Sequence, residues 1–119
     1  MEEIRKFDTG ADRDKEEGKL DFEGFLNPLV LEAYAKYMNK HRLRQDGTLR
    51  ESDNWQKGVP KDVYMKSAWR HFHDLWKEHR GYKSQEGIED ALMGCLFNIM
   101  GYAYEILKEG KIKEDKIFK

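Results

Sequence analysis

Apolar side chains recur along this chain at helical spacing. Leu29, Val30, Ala33, Tyr34, Tyr37 and Met38 fall three and four residues apart, which predicts an amphipathic helix over residues 28–41. Asn27-Pro28 supplies its start, with Asn as the cap and Pro in the first turn. Residues 61–79 repeat the pattern through Val63 or Tyr64, Ala68, Phe72, Leu75 and Trp76, overlapped by a second ridge of Met65, Trp69, Phe72 and Trp76. Pro60 opens this second helix and Arg80-Gly81 closes it. A third helix over 85–109 carries Ile88, Leu92, Cys95, Leu96, Ile99, Met100, Ala103 and Ile106; Ser84 caps it, and it ends near Gly110. No segment alternates with the period of a strand. The expected fold class is therefore all-α, three principal helices packed as an oligomeric helical bundle, with no β-sheet.

The polar stretches divide the chain. Residues 1–18 hold few apolar side chains among many mixed charges and are expected to lack secondary structure. Residues 19–110 form the helical domain, and the basic tail 111–119 is expected to fray or to serve subunit contacts. Between the first two helices, Arg42 to Pro60 is longer than an ordinary connection, a length usually tied to function or mobility. Asp46-Gly47 marks a turn within it. Gly94 and Gly101 sit seven residues apart beside Ala91, although a mid-helix glycine costs ~1 kcal/mol relative to alanine. The expected return is close approach of another helix backbone, from the same chain or a symmetry mate. With a thin, aromatic-rich core, that stripe predicts a homo-oligomer, either a dimer or a dimer of dimers.

Composition narrows the function classes. The chain has 119 residues, 38% of them charged, with a net charge of −1. That balance argues against a binder of long nucleic acids, which carries a basic excess, and leaves room for a local basic pocket. The longest apolar run, Ala91 to Ala103, is too short and polar to span a bilayer, so no membrane partner is expected. The charged N-terminal segment is not a signal peptide. Cys95 stands alone, which excludes an intrachain disulfide or a cysteine-based zinc site and suits a reducing cytoplasm.

Several clusters could carry chemistry. The second helix presents Arg70, Asp74 and Lys77 on one face and His71, Asp74 and Glu78 on the next. Arginine and lysine neutralise phosphate oxygens, while histidine and carboxylates move protons or bind metal; the same spacing also describes a solvated, ion-paired face. Glu86, Glu89 and Asp90 lie on adjoining faces at the third helix's start, where they could hold Mg²⁺ or simply offset the helix dipole. Asn98, Tyr102 and Glu105 share a stripe of an otherwise apolar helix and either tie helices together or face a ligand. Lys19 follows Gly18, and Lys57 sits in Asn54-Trp55-Gln56-Lys57-Gly58, where an aromatic beside a mobile cation suits phosphate contact with base stacking. No P-loop is present.

The order Gly18-Lys19, a proline-started helix, Asn54-Trp55-x-Lys57-Gly58, Arg70-His71 and a final helix from Asp90 through Asn98 resembles the N-terminal helical domain of phage dATP/dGTP diphosphohydrolases. The similarity spans roughly Lys19 to Leu107. The resemblance implies a viral origin, hence the host cytoplasm, an all-α fold and a role in the deoxynucleotide pool. Related all-α pyrophosphatases hold Mg²⁺ on paired-carboxylate helices; this chain lacks the full ExxE and ExxD pair. The expected activity is metal-dependent hydrolysis of a purine (deoxy)nucleoside polyphosphate. His71, Asp74 and Glu89 would be catalytic, Glu86, Glu89 and Asp90 metal ligands, and Lys19, Asn54, Trp55, Lys57, Arg70 and Asn98 ligand-binding. The alternatives are a non-catalytic protein that sequesters a linear or cyclic host nucleotide, and a structural or regulatory phage protein.

Overall fold

The helices follow the apolar periodicity. The computed structural model describes residues 4–14 and 18–118. Helix α1 (Phe22–Phe25) is a single turn, capped by the Asp21 carboxylate, which accepts from the Gly24 N–H. Helix α2 (Pro28–Lys40) begins as its sequence requires: the Asn27 side-chain oxygen accepts from the N–H groups of Leu29 (2.9 Å) and Val30 (3.3 Å). Helix α3 spans Lys61–His79 and α4 spans Gly87–Phe118. Gly81, at φ +89°, ends α3 in a Schellman turn, its N–H donating to the Glu78 carbonyl and that of Tyr82 to the Lys77 carbonyl.

Two expectations need correction. The N-terminal segment is not structureless, and the fold is not free of β-sheet: β1 (Ile4–Lys6) and β2 (Asp12–Asp14) form an antiparallel hairpin. Gly10, at φ +88°, allows the Phe7–Ala11 turn to close, and Lys6 faces Asp12 across the ladder. Strands of three residues are too short to show alternation in sequence. Residues 1–3 and 15–17 of that segment lie outside the described residues. The second correction is that α4 does not end near Gly110 but runs through the basic tail to Phe118. Gly110 keeps a negative φ, so nothing there turns the chain.

The long connection is also ordered. Arg44 N–H donates to the Thr48 carbonyl, the Asp46 carboxylate accepts from Thr48 N–H, and Leu43 bridges Leu49, so residues 42–50 form a tight hairpin about Asp46-Gly47. A 3₁₀ turn follows at Asn54–Lys57. Glu105, buried on α4, accepts from the Val59 N–H at 3.0 Å and pairs with Lys108 at 2.7 Å, tying the connection's end to the helix.

α3 and α4 form the main packed pair; α2 and the 3₁₀ turn rest on α4. The glycine stripe is the seam of that pair, but it admits side chains of α3 rather than a neighbouring backbone. The His71 ring covers Gly94 and the Tyr64 ring covers Gly101. Among the described residues, the buried apolar side chains are Tyr37, Tyr64, Ala91 and Met93. No helix among them is long and apolar enough to cross a membrane.

Candidate functional site

A cleft of about 550 Å³ opens where α2, the 42–60 connection, α3 and α4 meet. That volume falls within the range of small-molecule sites. α2 contributes Tyr37 and Met38; the connection contributes His41, Arg42, Arg50, Asn54 and Trp55; α3 contributes Ser67 and His71; α4 contributes Phe97 and Asn98.

The aromatic wall is held by local packing. Trp55 meets the rings of Phe97 (centroids 6.1 Å) and Tyr104 (5.3 Å) edge-on, which fixes the 3₁₀ turn against α4. Tyr37 packs on His41 at 4.4 Å. In the same cleft, the hairpin brings two cations together. Arg42 Nε donates to the Arg50 carbonyl and Arg50 Nη1 to the His41 carbonyl, both at 2.8 Å. Each guanidinium carries five N–H donors, so further donors remain on both.

Beside the cleft lies a group of titratable side chains. His71 Nδ1 stands 2.9 and 3.0 Å from the two Glu86 oxygens, and both side chains are about four-fifths buried. Burial pushes the Glu86 carboxyl upward, a hydrogen bond shared with Asp74 adds to the rise, and His71 opposes it. Lys40 pairs with Asp90. Burial, then the nearby Glu86 and Asp90 charges, push the Tyr37 hydroxyl up to about 12. His41 is pushed down, by burial first and Lys40 second, so its imidazole is neutral at pH 7. Gly94 makes the His71 position possible: a Cβ there would lie 2.6 Å from the ring's Cε1. The Gly94 carbonyl meanwhile accepts from the buried Asn98 amide at 2.7 Å.

Of the residues expected from sequence to serve a site, Asn54, Trp55, His71 and Asn98 line the cleft, Glu86 meets His71, and Asp74 meets Glu86. Lys19, Arg70 and Glu89 are exposed and lie outside the lining. Lys57 is exposed too and faces Glu51 at 3.5 Å. Glu86, Glu89 and Asp90 do not converge, since Glu86 engages His71 and Asp90 engages Lys40. Among the described residues no three histidine, cysteine or acidic side chains are grouped to hold a metal. Sequence reasoning missed Tyr37, His41, Arg42 and Arg50. A signal existed for the arginines: Arg42-Leu43 and Leu49-Arg50 mirror each other about Asp46-Gly47, a pattern that pairs them in a hairpin. Comparison with family models, curated proteins and solved structures finds no match for the chain.

Proposed function

We propose that the cleft binds a purine (deoxy)nucleotide. The observation that carries this reading is the juxtaposition, in one cavity of nucleotide size, of an aromatic wall with two arginines. Trp55 offers a face or edge for the base, Asn54 and Asn98 offer amides for base edges, and Arg42 and Arg50 offer planar, charged donors to phosphate oxygens. The resemblance of Asn54-Trp55-x-Lys57-Gly58 to the phage deoxynucleotide enzymes points the same way and favours a purine. Neutral His41 and the His71–Glu86–Asp74 group are suited to hydrogen-bonding a ligand or shuttling a proton. Glu86 engages His71 and Asp90 engages Lys40, so the reading rests on binding and assigns no hydrolytic step.

The test is calorimetric titration of the protein with ATP, dATP, GTP, dGTP and cyclic purine nucleotides, with and without Mg²⁺, followed by mass spectrometry of products and retained ligand. Binding of a purine nucleotide is expected, weakened by about one to two decades in Arg50→Ala, the loss of one charge-assisted contact. Arg70→Ala and Lys57→Ala, both outside the cleft, should bind as wild type. Millimolar or absent binding of every nucleotide, or unchanged binding in a folded Arg50→Ala protein, overturns the reading. Metal-dependent products would add hydrolysis to it.

A further inference from the structure

We infer that the outer apolar face of α3 and α4 is covered by a second copy of this chain. α3 carries a ridge of Met65, Trp69, Phe72 and Trp76, each between 46% and 65% exposed. α4 sets Ile88, Leu92, Ile99 and Ile106 on its own outer stripe, each between 43% and 64% exposed. An apolar groove of about 290 Å³, lined by Met65, Ala68 and Ile99 among others, joins the two stripes. The result is a mainly apolar surface two helices wide, with Asn98 and Tyr102 also lining the groove.

The chain's dimensions indicate how much is uncovered. Its accessible surface is 10277 Å², whereas a compact chain of 14.2 kDa should expose about 6,800 Å². Its radius of gyration is 20.0 Å, against about 13.5 Å for a compact domain of this length. The surplus over the whole chain, the hairpin arm and α1 included, is about 3,500 Å², more than the roughly 1,000–2,500 Å² that each partner of an obligate dimer buries. Among the described residues only Tyr37, Tyr64, Ala91 and Met93 are buried apolar side chains, a small core for one chain. Among the described residues neither the hairpin nor α1 packs on another helix, and Leu20, Phe22, Phe25 and Leu26 are at least half exposed.

The surface left uncovered is more than a stable dimer needs, which makes a second copy the occupant. None of the eight side chains on the face is charged, so the surface can meet itself about a two-fold axis without like-charge repulsion. Two helices from each copy then form a four-helix layer. This places the interface away from Gly94 and Gly101, whose stripe is filled within the chain.

The chain's three tryptophans report on this directly, because Trp69 and Trp76 lie on the face and Trp55 lies in the cleft. Light scattering of the wild type at tens of micromolar gives the mass, and acrylamide quenching of Trp55→Phe reads Trp69 and Trp76 alone. An even oligomer whose remaining tryptophans emit to the blue and resist quenching supports the inference, as does a melting temperature that rises with protein concentration. A folded monomer overturns it, whatever its quenching. An oligomer whose Trp69 and Trp76 quench freely overturns it too, since another surface then holds the copies together. If Trp55→Phe fails to fold, quenching of the wild type serves, with one accessible tryptophan of three expected and three accessible overturning the inference.

Discussion

Alanine at position 94 should damage the protein although it improves the helix. In an open helix interior the change from glycine to alanine stabilises by about 1 kcal/mol. Here the new Cβ would lie 2.5 Å from His71 Cγ and 2.6 Å from its Cε1, closer than carbon atoms can approach. The ring must leave, which breaks the contacts at 2.9 and 3.0 Å to Glu86. Overpacking of this kind costs about 1–3 kcal/mol, and a part-buried hydrogen bond to a charged group contributes about 1.5–3 kcal/mol. The two overlap, because the same ring motion relieves one by losing the other. A net loss of about 0.5–2 kcal/mol remains after the helix gain, a fall in melting temperature of roughly 2–10 °C for a chain of this size. The decisive assay is a double-mutant cycle with His71→Ala, melted at one fixed protein concentration. With the imidazole gone, Gly94→Ala should become stabilising by about 0.5–1 kcal/mol, so the effect changes sign. If Gly94→Ala raises the melting temperature in the wild-type background, the ring does not occupy that seat and the site geometry is wrong.

Three further outcomes are expected. Gly101→Ala should lose about 1–3 kcal/mol in thermal melts, since its Cβ would lie 2.7 Å from the Tyr64 hydroxyl oxygen. Tyr64→Phe should melt at or above the wild-type temperature, because that hydroxyl is buried without a hydrogen-bond partner among the described residues; a drop of more than about 1 kcal/mol would reveal one. The Glu86 carboxyl is raised in the folded state, so the folded protein holds its proton more tightly and the associated stability is complete below the unfolded value near about pH 4.3. That stability is lost as pH rises through the raised value, so denaturant titrations should show wild type losing ground to Glu86→Gln over this window. His41, lowered in the fold, has the opposite slope, losing stability as pH falls below about 6.5, and the comparison at fixed pH cancels it.

Local chemistry alone determined most of the helical frame. Asn27 and Gly81 act on backbone groups within a few residues, so the start of α2 and the end of α3 were legible without any partner. The Asp46-Gly47 turn was legible for the same reason. The three-residue strands were not, because alternation needs more positions to show, and the end of α4 was not, because glycine breaks a helix only where the chain adopts a positive φ. Sequence also named Asn54, Trp55, His71, Glu86 and Asn98 as candidates, since polar or aromatic side chains at such spacings require partners. Which partner each one meets was decided in three dimensions. Spacing along a helix places Glu86, Glu89 and Asp90 near one another, yet His71 from α3 and Lys40 from α2 draw two of them apart. Buried Asn98 and Glu105 share one stripe, but Asn98 lines the cleft and Glu105 anchors the connection. The glycine stripe announced close packing but not its occupant: a missing Cβ leaves a space, and only the positions of the other helices determine what fills it.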